Sequence, residues 1–201
     1  MTTKPFIEAS DRNKIPILAV LQSSFQFCQR ILEIGSGTGQ HAVYFGQNLA
    51  HLLWQPTDLA DKIAGMSLWL EEANLPNILP PVPLSVESQP WKLSERFDGI
   101  YSSNTLHIMS QNQVESMFRH LPEVLVDGSA ALFYGPFNDN GRFVSEGNYQ
   151  LDQRIKQRFP GSGVKDKQWV IQQGNENGFA FKQEHCMPAN NLILEFTYHR
   201  E

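Results

Sequence analysis

Two cysteines in 201 residues are too few, and too far apart, to build a covalent framework. Cys28 and Cys186 are separated by 158 positions and neither sits in a Cys-x-x-Cys spacing, so no disulfide scaffold or zinc knuckle is indicated, and a reduced, cytoplasmic protein is expected. Long hydrophobic runs are also missing. The longest, residues 15–21, has seven members including Pro16 and falls far short of a bilayer. Residues 1–6 contain one Lys and no apolar stretch of signal-peptide length. Positive charge is scarce: 16 Lys and Arg against 21 Asp and Glu leave a net −5, which argues against binding dominated by nucleic acid or an anionic membrane. Internal repeats, low-complexity tracts and metal-ligand spacings are absent as well. An enzyme, a binding module and an interaction protein all remain.

What is present is enough chain for one cohesive core, since folding at this length buries about 70% of the extended surface. A single domain over residues 1–201 is expected, with an N-terminal arm and first helix in residues 1–29. Asn13 reads as the N-cap of that helix, with Pro16 in its first turn and Leu18, Leu21 and Phe25 as its buried stripe. Strand-like and helix-like patterns then alternate. Strands are expected at residues 30–34, 51–55, 97–103 and 130–134, with a proline-rich edge strand at 79–84. Helical spacing recurs in Ala42, Phe45 and Leu49, and in Leu59, Ile63, Met66 and Leu70. It returns behind a Ser110/Gln113 capping box in Val114, Met117, Phe118 and Leu121. Residues 136–168 turn polar, with one helix near 149–158, and read as a lid over substrate. Phe179 and Phe181 open a further strand, and residues 191–198 alternate strictly, joined to it by a turn at 188–190. The sum is an α/β fold: a mostly parallel, Rossmann-like sheet with helices on both faces and an antiparallel C-terminal hairpin.

The chemistry concentrates in Glu33-Ile34-Gly35-Ser36-Gly37-Thr38-Gly39, where a strand gives way to a helix. A P-loop would end in Gly-Lys-Ser/Thr, but Gln40 and His41 follow Gly39. A dinucleotide fingerprint would place its third glycine where Gln40 stands, and a nucleophile elbow would need a glycine where Ile34 stands. Glu33 would repel a pyrophosphate and attract a cation. S-adenosylmethionine carries an ammonium and a sulfonium and suits that carboxylate. Asp58, 19 residues after Gly39, has the spacing of a ribose-binding acid at the end of the second strand, although it also suits the N-cap of the following helix.

At these residues the chain resembles class I S-adenosylmethionine-dependent methyltransferases. More narrowly it is similar to the methyltransferase-like protein 26 family, through Arg12-Asn13-Lys14, the loop just quoted with Gln40-His41, and Trp54-Gln55-Pro56-Thr57-Asp58. Asn104 with His107-Ile108, Tyr134-Gly135-Pro136-Phe137 and Met187-Pro188-Ala189-Asn190-Asn191 carry the same likeness. The resemblance covers nearly the whole chain. It implies a seven-stranded sheet of order 3-2-1-4-5-7-6 with strand 7 antiparallel, and cofactor contacts at Glu33, Gly35, Gly37 and Asp58. Ser36, Gly39, His41, Ser85, Val86 and Asn104 complete the expected cofactor-binding set. Ser85 stands where the family pattern has an aspartate for the adenine amino group, which leaves a substitute role open to Glu87.

Ligands in such sheets bind beyond the carboxyl ends of the strands. Asn104 and His107 are accordingly the expected catalytic pair, the first orienting an acceptor and the second taking a proton near its usual pKa of about 6.5. Tyr134, Phe137, Arg142, Asn148, Asn190 and Asn191 are the expected substrate residues, with Arg154 as a further cation on the lid. The reading is methyl transfer by in-line displacement to a small molecule, with no nucleic-acid or membrane partner. A protein or RNA methyltransferase, and a non-catalytic binding protein on the same scaffold, are its rivals.

Overall fold

The structure is a computed structural model, and it describes residues 4–200. The elements run α1 (Glu8–Ser24), β1 (Arg30–Ile34), α2 (Gln40–Asn48), β2 (Leu53–Asp58), α3 (Ala60–Ala73), β3 (Val82–Pro83), β4 (Phe97–Ser103) and α4 (Gln111–Val124). They continue with β5 (Leu125–Asn138), α5 (Glu146–Arg158), β6 (Lys165–Asp166), α6 (Lys167–Asn175), β7 (Phe179–Met187), a 3-10 turn Pro188–Asn190, and β8 (Asn191–Tyr198). The strands lie in the order β3-β2-β1-β4-β5-β8-β7, and β6 pairs with the end of β5. All pairings are parallel except those of β8 with β5 and β7. This is the expected order; the two-residue β6 merely raises the numbers of the last two strands by one.

The sheet is buried on both faces because its strands alternate between two apolar layers. Phe133 of β5 joins Phe118, Phe179 and Phe196 on one face, whereas Leu132 and Tyr134 join Ile17, Leu21, Phe45 and Trp54 on the other. The strand order reverses between β1 and β4, whose carboxyl ends carry the glycine loop and Asn104. The capping box on α4 is formed as expected: Ser110 accepts from the Gln113 amide, and the Gln113 side chain accepts from the Ser110 amide. Among the described residues, no helix is long and apolar enough to cross a membrane.

Five local expectations differ, the first being the proline-rich edge strand expected at 79–84, which is reduced to Val82–Pro83. Helix α1 begins at Glu8, so Asn13 is an interior residue and Pro16 lies in mid-helix. No side chain caps α1; instead Gln40 holds its start, accepting from the Ile7 amide (2.7 Å) and donating to the Ile7 carbonyl (3.3 Å). Strand β2 runs later than residues 51–55 and carries on through Pro56 to Asp58, with Leu59 as the N-cap residue of α3. Strand β5 extends well beyond residues 130–134 in both directions. Helix α6, nine residues with only Val170 and Gly174 buried, has too short an apolar stripe to announce itself.

Close packing predicts one sensitive point. A Cβ on Gly99 of β4 would lie 2.3 Å from Ile31 Cδ1 and 3.1 Å from Phe25 Cε1, where α1 meets the sheet. Gly99→Ala should cost about 1–3 kcal/mol by overpacking, read as a lower urea midpoint; an unchanged midpoint would show that this contact yields.

Candidate active site

The glycine loop is held from both sides. Toward β2, Ser36 N donates to Thr57 O (2.8 Å), Thr57 N to Ser36 Oγ (3.1 Å), and Thr57 Oγ1 to Glu33 O (2.6 Å). Toward β4, Ser102 Oγ donates to Ile34 O (2.8 Å). Gly35, Gly37 and Gly39 all have positive φ (73°, 58° and 85°). At Gly35 a side chain is also excluded by space, since a Cβ would stand 2.7 Å from Thr105. At Gly37 a Cβ would meet nothing within 4 Å, so the backbone is open there for a close approach.

Asp58 faces that opening. Its Oδ2 accepts from the Gly37 amide at 2.6 Å and its Oδ1 from the Leu59 amide at 2.7 Å. Burial raises its pKa, and these two bonds oppose the rise. A carboxylate has about four lone-pair sites, so each oxygen keeps capacity for one more donor, such as the vicinal hydroxyls of a ribose.

Glu33 is only 2% exposed, and its Oε2 accepts from Trp54 Nε1 (2.8 Å). Burial pushes its pKa from 4.5 up to about 7, so it exchanges a proton near neutrality and would gain from a cationic partner. Ser85 is half-buried beside buried Val86, and its Oγ accepts from the Glu87 amide. Glu87 is exposed and takes the Gln113 side-chain amide on α4.

Asn104 and His107 come together on Gly135 of β5. A Cβ on that glycine would lie 3.6 Å from His107 Nδ1 and 4.0 Å from Asn104 Oδ1. Asn104 turns the chain with a φ of 56° and donates its amide to Tyr134 O (2.8 Å). His107 is 8% exposed; burial first, and the Lys165 charge second, lower its pKa from 6.5 to about 4. The imidazole is therefore neutral at pH 7 but a weaker base than expected.

Several expected ligand contacts are instead used by the protein. His41 presents Nε2 to Ser10 O (3.1 Å) and Asn13 Oδ1 (2.8 Å), both acceptors, so that nitrogen carries the proton while Nδ1 accepts from Tyr101 Oη (3.2 Å). Its role is to bind α1 to α2, and burial lowers its pKa to about 4. Tyr134 packs in the α1-side core, beside α1, where Asn13 points inward to meet His41. Phe137 is buried in the opposite core layer. Asn191 closes its own turn by donating to Pro188 O (3.0 Å), and Asn190 is exposed there with a φ of 58°. Arg142 and Arg154 are exposed, whereas Asn148 faces inward from α5, 5% exposed, with Nδ2 buried and unpartnered among the described residues.

Sequence reasoning missed Lys165 and Asp152, both buried, the first on β6 and the second on α5. Asp152 was detectable: at i+4 from Asn148 it shares that residue's helix face. Lys165 left no signal, since only the fold brings it to the turn after β4.

A family model described as "Protein of unknown function (DUF938)" matches residues 4–198. Among solved structures, an O-methyltransferase family protein from Burkholderia thailandensis superposes with a TM-score of 0.83 at 13% identity, over 96% of this chain and 58% of that one. The S-adenosylmethionine-dependent methyltransferase SibL in its apo form gives 0.80 at 18% identity, over 96% and 56%. Human N-acetylserotonin methyltransferase in complex with SAM gives 0.79 at 14%, over 96% and 53%. The chain thus shares their Rossmann-like fold and spans a little over half their length.

Two buried histidines and one buried glutamate set opposing pH slopes. His41 and His107 contribute fully above about pH 6.5 and lose that contribution as pH falls toward 4. Glu33 contributes fully below its unfolded value of 4.5 and loses it as pH rises through about 7. Glu33→Gln can keep the Trp54 bond and removes only the second loss. Its melting temperature should gain on the wild type at pH 8 relative to pH 5; a gap equal at both pH values would refute the assignment.

Proposed function

The chain belongs to the DUF938 family, and from its site we propose that it is an S-adenosylmethionine-dependent methyltransferase acting on a small molecule. One observation carries the reading: the open backbone at Gly37 stands against the Asp58 carboxylate at the switch in strand order, with Asn104 and His107 beyond the next strand ends. The residues fit the cofactor. Asp58 would take the ribose hydroxyls, the turns at Gly35 and Gly37 would admit its backbone-facing edge, Glu33 would balance its ammonium, and Ser85 and Val86 would border the adenine. When bound, S-adenosylmethionine supplies an electrophilic methyl on a sulfonium.

The remaining work falls to positioning. Asn104 offers a side-chain amide to orient the acceptor, and neutral His107 offers a lone pair to hold or receive its proton. Gly135 leaves room between them. Residues 136–168 cover this end of the sheet as the lid of a single catalytic domain, with Asn148 the strongest substrate contact and Arg142 and Asn190 at the rim. Fold-level similarity to O-methyltransferases supports a small hydroxylated acceptor. The Trp54-to-Asp58, Tyr134-to-Phe137 and Met187-to-Asn191 motifs support the narrower kinship with methyltransferase-like protein 26. Two free cysteines suit a cytoplasmic setting.

Calorimetry with S-adenosylmethionine and S-adenosylhomocysteine tests the cofactor; no binding by folded protein overturns it. Asp58→Ala should weaken binding about 10- to 100-fold through loss of charge-assisted hydrogen bonds. Titrations near pH 6.5 in buffers of different ionisation heat should show proton release on binding, from Glu33. His107→Ala should keep cofactor affinity within about twofold and reduce label transfer to a metabolite extract by about tenfold or more. Unchanged transfer removes the histidine from the mechanism, and binding without any transfer favours the non-catalytic rival.

A further inference from the structure

The turn that carries His107 is fastened to the base of the lid by an unusual set of bonds. Three successive carbonyls, those of His107, Ile108 and Met109, accept respectively from Gly163 N (3.0 Å), Ser162 Oγ (2.5 Å) and Lys165 Nζ (2.6 Å). Lys165 Nζ also donates to Gly163 O (2.9 Å), so one ammonium spans both segments. From the other side α5 clamps the same stretch: Asp152 Oδ1 accepts from Val164 N (2.9 Å), and a Cβ on Gly163 would lie 2.7 Å from that oxygen. Asn148, with its unpartnered amide, sits one turn earlier on the same face of α5.

Lys165 is 5% exposed, and burying an ammonium is costly. A methionine would fill comparable space without that cost, so stability alone does not account for a lysine here. What the ammonium adds is direction, two donors aimed at fixed carbonyls. We infer that Lys165 is a positioning residue, which locks the turn after β4 to the base of the lid and so sets the imidazole of His107 beside Asn104 and Gly135. The Lys165 charge also helps to keep that imidazole unprotonated, with Asp152 and Lys156 as the other charges nearby. The catalytic meaning of this arrangement rests on the function proposed above; the positioning itself does not.

The test follows the His107 ring resonances and the exchange of the Gly163 amide by NMR, on the whole chain, with S-adenosylmethionine calorimetry alongside. In Lys165→Met, Gly163 should exchange about tenfold faster or more, the His107 signal should move, and its titration midpoint should rise by about half a unit or more. Lys165→Arg, which retains charge and donors, should restore most of each. If Lys165→Met does not fold, Ser162→Ala removes one of the three bonds and should speed Gly163 exchange about fivefold while displacing the His107 signal. His107 and Gly163 unchanged in whichever variant folds would overturn the proposal. Failure of the wild type to bind the cofactor would overturn the functional reading instead, and leaves the NMR result interpretable.

Discussion

The short bond from the Gly37 amide to the Asp58 carboxylate, 2.6 Å long, ties the loop after β1 to the end of β2. Around it the Ser36–Thr57 bonds fix the same two strand ends in register, and Ser102 fixes the loop to β4. A loop of three positive-φ glycines is entropically expensive to order. It holds one shape because its neighbours on both sides supply partners for its polar groups. The surrounding groups take their places from that arrangement: Glu33 precedes the loop, α2 continues it, and the turn bearing Asn104 and His107 lies against Gly35 through Thr105.

Charge is distributed with the same economy. Glu33, His41, His107, Asp152, Lys165 and Glu195 are all buried, but each has a different reason to be tolerated. His41 is neutral and fully bonded between α1 and Tyr101. Asp152 has Lys156 at 2.7 Å. Glu195 would be raised by burial, yet bonds from Lys182, Gln183 and His185 on β7 bring its carboxyl down to about 2. That cluster holds the edge strand β7 to β8. Glu33 and His107, by contrast, are held toward their neutral forms by burial, so a cation beside Glu33 would have to draw off its proton, whereas His107 keeps a lone pair free.

Helix α1 links the two themes. Its interior Asn13 bonds with His41, Tyr134 packs in the same layer as Ile17 and Leu21, and Gln40 grips the backbone at Ile7. Gln40 stands where a dinucleotide-binding loop would have its third glycine. The departure that excludes one cofactor class is thus also the device that holds the N-terminal arm across the start of α2. The same residues that looked like ligand contacts, His41 and Tyr134, are the ones that seat the arm.

Periodicity alone located β1, β4 and β8 to the residue, because each is a buried strand bounded by turn residues and has few competing patterns. The glycine loop, the spacing to Asp58 and the final hairpin were legible for the same reason: they are local, and their backbone demands restrict which residues can stand there. Contacts between distant segments were not. Asn13 looks like a cap until His41 and Tyr134 are brought to it, and Glu195 lies on the strand face opposite Leu194 and Phe196 yet is buried under three side chains of β7. Lys165 has no neighbour in sequence that hints at Met109, 56 positions away. The amino-acid order determined the fold and the glycine loop within it. Only tertiary packing decided which polar side chains still have a free hydrogen-bonding group and which have theirs taken, because hydrogen-bond partners and burial belong to the folded arrangement and not to any single segment.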